Sequence, residues 1–159
     1  MLFMLTEIEK AYWAGLLDGE GTIGLYTHHD TMGKYRSGYA WNPFVRIYLS
    51  KGHEILNEIV NAYQGKLKSQ INKNTGLNHK TQTVMWYVLF GSCKKIRPLL
   101  VDLLPYLRIK KAQAELLLEY CNLRMGAHTL VTKNLFEIIA ISDQIKELNS
   151  GHRIYKKKG

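Results

Sequence analysis

The stretch Ala11–Leu25, AYWAGLLDGEGTIGL, decides how the chain is read. It begins as an apolar helix, passes through Asp18-Gly19-Glu20-Gly21, and enters a strand-like run with no linker between. At about 100° per residue, Ala11, Ala14, Gly15 and Asp18 fall within roughly one third of the helix circumference, and Trp13, Leu16 and Leu17 lie opposite. Small side chains admit a second backbone at close range, whereas bulky ones fill a core. A helix with two such faces is predicted to lie between two bodies.

The acids at its end carry a second expectation. A helix C-terminus bears partial negative charge, so carboxylates there call for a compensating cation. Carboxylate and backbone carbonyl oxygens are the ligands Mg²⁺ prefers. In the plainer reading, Asp18 and Glu20 cap a turn at Gly19 and Gly21.

Outward from this stretch the pattern alternates between helix and strand. Upstream, Thr6 and Glu9 have capping-box spacing and predict a helix start near Glu7. Downstream, strands are predicted from Thr22 to Thr31 and from Ala40 to Ser50, joined through Met32–Tyr39, with Pro43 disturbing the start of the second. A helix over His53–Tyr63 is followed by strands over Gly65–Asn72 and Thr81–Phe90, joined by a polar connection with the turn signal Asn74-Thr75-Gly76. Ser92 is placed to cap a helix reaching Leu104, in which Pro98 predicts a kink or a later start. Helices over Lys111–Arg124 and Asn134–Asn149 complete the pattern, Asn134 and Glu137 repeating the capping-box spacing. The expectation is one α+β domain over residues 1–150 and a basic tail over 151–159.

Charge narrows the partner. The net charge is +9 over 159 residues, which points to a polyanion. From Ile59 to Val101 there is no Asp or Glu, while Lys66, Lys68, Lys73, Lys80, Lys94, Lys95 and Arg97 accumulate. Two cysteines are too few for a disulfide framework, and no run has the length of a membrane span. A soluble, intracellular protein is expected.

Strand parity assigns the faces. An oily side, with Val45, Ile47, Val84, Trp86, Val88 and Phe90, faces helices. The opposite side presents Tyr26, His28, Arg46, Tyr48, Lys66, Lys68, Gln70 and Tyr87, and is nearly free of acids. Lys and Arg serve phosphate contacts and guanine readout, Gln pairs with adenine, and a β-sheet surface fits the major groove. Double-stranded DNA is the expected partner. An acid beside phosphates is repelled unless a divalent metal bridges the two, and two metals stabilise both the attacking and the leaving oxygen of phosphodiester hydrolysis. One chain offers one such helix end. A twofold homodimer through the small-residue face would bring two Glu20 carboxylates together.

WAGLLDGEG, residues 13–21, is similar to the LAGLIDADG signature of the homing endonucleases. Ala14, Gly15, Leu16, Asp18 and Gly21 match it directly, while Trp13, Leu17, Gly19 and Glu20 replace its Leu, Ile, Ala and final Asp. The element order and the segments LPYLRIKKAQAELLLEY and ISDQIKELN also resemble single-motif members. The resemblance implies an αββαββα fold, an antiparallel four-stranded DNA-binding sheet packed on helices, with extra C-terminal helices. It further implies metal binding by Glu20 and the Gly19 carbonyl, a helix-end role for Asp18, and Lys110 near the scissile phosphate. Ser50 stands where the family positions solvent, and His53 where it carries a basic residue.

The activity so implied is Mg²⁺-dependent cleavage of a long, near-palindromic site by a homodimer, with Mn²⁺ substituting and Ca²⁺ binding without cleavage. Arg153, Lys156, Lys157 and Lys158 are expected on phosphates. An intron RNA maturase or a non-cleaving nucleic-acid-binding protein on the same fold is the rival reading. A zinc nuclease is more distant, because the six histidines form no ligand cluster with either cysteine.

Overall fold

The capping box forms as its spacing predicts. In the computed structural model, which describes residues 4–33, 38–73, 82–125 and 134–151, the Glu9 amide donates to Thr6 Oγ1 (3.3 Å) and the Thr6 amide to Glu9 Oε2 (2.7 Å). Helix α1 (Glu7–Glu20) starts there and passes without an intervening residue into strand β1 (Gly21–His29). It ends within the Gly19–Gly21 segment, with Gly21 as its C-cap. The junction needs glycine: a Cβ on Gly21 would lie 2.4 Å from Leu17 Cδ1 and 2.6 Å from the Leu17 carbonyl oxygen.

The remaining elements are β2 (Tyr39–Leu49), α2 (Leu56–Tyr63), β3 (Lys66–Lys73), β4 (Gln82–Phe90), α3 (Cys93–Leu103), α4 (Lys111–Met125) and α5 (Leu135–Ser150). The order is αββαββα followed by two further helices, the expected α+β arrangement. The strands form one antiparallel sheet in the order β1-β2-β4-β3. Each hairpin is local, and the β2–β4 seam, with Tyr48 opposite Tyr87, joins the two.

One face of the sheet meets the helices. Ile23, Val45, Ile47, Val88 and Phe90 are fully buried there against Trp13, Leu17, Leu99, Leu103 and Leu117. Helix α5 packs along the free edge of β1: Asn149 Nδ2 donates to the Ile23 carbonyl (2.8 Å) and Ser142 Oγ lies 2.7 Å from Thr27 Oγ1. The Asn149 bond occupies a backbone carbonyl of this edge strand.

Three local expectations change. Pro98 sits inside an uninterrupted α3, which starts directly after Ser92; full burial of Ile96, Leu99, Leu100 and Leu103 holds the helix despite the missing amide. Ser92 and Asn134 occupy cap positions, but neither side chain makes a capping hydrogen bond. Ala14 is fully buried in the core rather than on the small-residue face. The Asn74-Thr75-Gly76 turn and the basic tail lie outside the described residues. Among the described residues, no helix is long and apolar enough to cross a membrane.

Candidate nucleic-acid interface and acidic centre

The sheet face turned away from the helices is built row by row from the register. Thr22, Arg46, Leu89 and Lys66 form one row across all four strands; Tyr48, Tyr87 and Lys68 form the next. Gln70 lies opposite Met85, Tyr26 opposite Asn42, and His28 opposite Ala40. Lys66, Lys68, Gln70, Tyr26 and His28 are exposed, while Arg46, Tyr48 and Tyr87 are half-buried. All eight of these predicted contact residues therefore share one surface, on which the described strands place no acid.

The centre of that surface is an aromatic cluster around a cation. Arg46 Cζ lies 4.7 Å from the Phe44 ring centroid and 6.0 Å from that of Tyr87, and Arg46 Nη1 donates to Tyr48 Oη at 3.4 Å. Its Nε is buried without a hydrogen-bond partner. Phe44 also stacks on Tyr26, with ring centroids 5.1 Å apart. It can do so because Gly24 lies beneath it: a Cβ there would stand 2.3 Å from Phe44 Cζ. The sequence reading passed over Phe44, although its parity matches that of Arg46 and Tyr48.

The acidic centre begins where α1 delivers the chain into this sheet. Asp18 belongs to its own chain's packing. Its Oδ2 accepts the Arg108 amide (2.8 Å), and its Oδ1 accepts the amides of Ile109 (3.2 Å) and Lys110 (2.8 Å). Partial burial pushes the Asp18 pKa up, but the three amides and the Lys110 charge outweigh it and hold the carboxyl below its usual range. Lys110 Nζ donates to the Asp18 carbonyl oxygen. The cation that the end of α1 was expected to need is thus supplied, for Asp18, by Lys110 and the amides leading into α4.

Glu20 is different. It is exposed and, among the described residues, makes no hydrogen bond or ion pair. A Cβ added to neighbouring Gly19 would meet nothing within 4 Å. One chain therefore offers, at this helix end, one unpaired carboxylate beside a sterically open glycine. That donor set suits a hard cation but leaves it incompletely coordinated by a single copy.

The other predicted site residues divide. Gly21 pairs with Ile47, so exposed Ser50 lies three residues, roughly 10 Å, further along β2 in the direction of the α1 terminus. His53 opens a 3₁₀ turn and stacks on Trp86 (4.4 Å, 11°). Trp86 has core-side parity, so this histidine packs beneath the sheet rather than on its outer face. Arg153 lies outside the described residues. No group of three or more His, Cys, Asp or Glu able to hold a metal occurs among the described residues. The Cys93 and Cys121 thiols share a hydrogen bond, which lowers the first and, with burial, raises the second.

On the small-residue side of α1, Ala11 and Gly15 are exposed and bordered by Met4, Ile8 and Tyr12, exposed by 85%, 83% and 51%. A Cβ on Gly15 would meet nothing within 4 Å. The protein's own fold does not require glycine there.

No protein-family model matches the chain, and no curated protein does. Solved structures do match. The homing endonuclease I-CvuI in complex with the I-CreI target superposes with a TM-score of 0.72 at 23% identity, covering 92% of this chain and 85% of that one. An archaeal intron-encoded homing endonuclease complexed with DNA gives 0.70 at 15% identity, covering 96% and 90%. The LAGLIDADG meganuclease I-CpaMI bound to uncleaved DNA gives 0.64 at 20% identity, with 83% of this chain on 42% of that one. The fold is that of the LAGLIDADG homing endonucleases.

Proposed function

We propose that this protein is a site-specific DNA endonuclease that acts as a homodimer, with Mg²⁺ held by Glu20 and the Gly19 carbonyl. The observation that carries this reading is the α1–β1 junction: the unpartnered Glu20 is followed immediately by the strand that opens an acid-free, cationic and aromatic sheet face. An acid so placed serves no purpose in binding polyanion alone.

The seam supports the dimer. Fully burying an Ile or a Met is worth roughly 1.5–3 kcal/mol, and a second copy on α1 would cover Ile8, Met4 and Tyr12 while Gly15 admits its backbone. The match to less than half of I-CpaMI fits a chain that carries one unit of a two-unit assembly. Crystals of I-CvuI on DNA with Mg or with Ca make a divalent ion the natural first trial.

When bound, Mg²⁺ supplies charge stabilisation for the attacking and leaving oxygens. The chain's own residues do the rest. Lys66 and Lys68 contact phosphate, Arg46 and Gln70 face base edges, and Tyr26, His28, Tyr48 and Tyr87 add polar and stacking contacts. Lys110, released from the Asp18 carbonyl, stabilises charge at the scissile phosphate, and Ser50 orients solvent.

The test is selection of cleaved duplexes from a randomised DNA library in Mg²⁺, with EDTA as control. One near-palindromic site cut on both strands is expected, and Glu20→Gln should bind that site without cutting. No magnesium-dependent double-strand break in any library pool would refute the nuclease reading.

A further inference from the structure

The protein carries a second groove, away from the sheet, between α4 and α5. Its floor is apolar, with half-buried Leu116 and exposed Leu148 (45%). Its walls carry the carboxylates of Glu115, Glu119 and Glu147. None of the three forms an ion pair among the described residues. An open apolar floor with unpaired acids is unusual on a chain of net charge +9, and it asks for an occupant that is both oily and basic.

Such a segment is covalently attached to the groove's rim. Gly151 is itself a lining residue, and its φ of +59° turns the chain out of α5 in a conformation that favours glycine. The residues that follow are His152-Arg153-Ile154-Tyr155-Lys156-Lys157-Lys158-Gly159. Ile154 and Tyr155 match the apolar floor, and the four cations outnumber the three acids. Eight residues reach up to ~26 Å when extended, while Glu115 and Glu119 are one helical turn apart, about 6 Å. Reach is ample.

We propose that the α4–α5 groove is the docking site of the chain's own segment 152–159 in the DNA-free protein. Ile154 and Tyr155 cover Leu116 and Leu148, and the lysines pair with Glu115, Glu119 and Glu147. The attraction is largely electrostatic and intramolecular, so it is strong at low salt and weakens as screening grows. The proposal does not depend on the nuclease reading.

Zero-length carbodiimide cross-linking of the 159-residue chain, as a mixture of isotope-labelled and unlabelled copies, tests it directly. Lys156, Lys157 and Lys158 should link to Glu115, Glu119 or Glu147 within one chain, several-fold above their links to exposed Glu58, Glu137 and Asp143. Those links should vanish at 1 M salt, where the Debye length is about 3 Å. A Leu148→Ser variant, altered only at an exposed position, should keep its fold and lose most of them. Equal yields to groove and control carboxylates, or no effect of Leu148→Ser, would overturn the docking. Links confined to mixed-label pairs would give the groove to a second copy instead.

Discussion

Replacing Asp18 with alanine separates the role of this acid from that of Glu20. The carboxylate accepts three consecutive amides, from Arg108, Ile109 and Lys110, at 2.8–3.2 Å. It ties the C-terminus of α1 to the N-terminus of α4. Capping acids lost to alanine cost about 0.5–2 kcal/mol. The site is partly open, so water recovers some of the loss despite three bonds being broken. A destabilisation of about 1–2 kcal/mol is expected, which for a chain of this size lowers Tm by roughly 2–8 °C.

The pH dependence has a definite sign. Because the folded pKa of Asp18 lies below its ordinary value, its contribution is full above the unfolded carboxylate range, near pH 4, and is lost as pH falls through the folded value. The gap between parent and Asp18→Ala should therefore be widest at neutral pH and close in acid. Thermal unfolding followed by circular dichroism at neutral and acidic pH reads this out, at two protein concentrations so that any dimer contribution is separated by mass action. Equal Tm values at neutral pH, or a gap that widens in acid, would refute the assignment.

Glu20→Gln should leave monomer stability within about 0.5 kcal/mol of the parent, since no described residue pairs with Glu20; chemical denaturation decides this alongside the cleavage test. Gly15→Leu should preserve far-ultraviolet circular dichroism, because the site is open in the single chain, yet abolish self-association in sedimentation. A stable Gly15→Leu dimer would exclude this seam. Gly21→Ala forces a Cβ against the Leu17 backbone and should cost about 1–3 kcal/mol in urea unfolding. Gly24→Ala must displace Phe44 from Tyr26 and Arg46; DNA binding measured by fluorescence anisotropy should weaken several-fold, with little change in its salt dependence, as no charge is lost.

Much of the fold is written in local patterns. The Thr6–Glu9 box, the alternation of Val45 and Ile47 with Arg46 and Tyr48, and the polar face of β3 each depend on residues a few positions apart, so periodicity finds them. The tie between Asp18 and residues 108–110 joins positions some ninety apart, and no local signal announces it. The helix-end role expected of Asp18 is filled by three backbone amides from a segment that only the fold brings near. Ala14 misled for a similar reason: its size admits either face, and only the packing of α1 against its neighbours decides. Phe44 was legible by parity, but its contact with Gly24 depends on cross-strand register, which periodicity alone leaves open. His53 shows the converse, since Trp86 claims its ring from a strand more than thirty residues away.

The direct passage of α1 into β1 sets a phase between two periodicities. Helix rotation positions the exposed Ala11 and Gly15 face, strand alternation positions the cationic side chains of the sheet, and no residue separates Glu20 from Gly21 to absorb a mismatch. One residue inserted at this point would rotate α1 by about 100° relative to the sheet, or else turn Ile23 and Leu25 outward and Tyr26 into the core. The two faces are therefore locked together, so in the proposed homodimer a change in how two copies cross would also change how each strand meets its half of a bound duplex. Under the proposed function, attempts to alter target preference can vary exposed β1 side chains such as Tyr26 and His28, but not the length of the strand at this end.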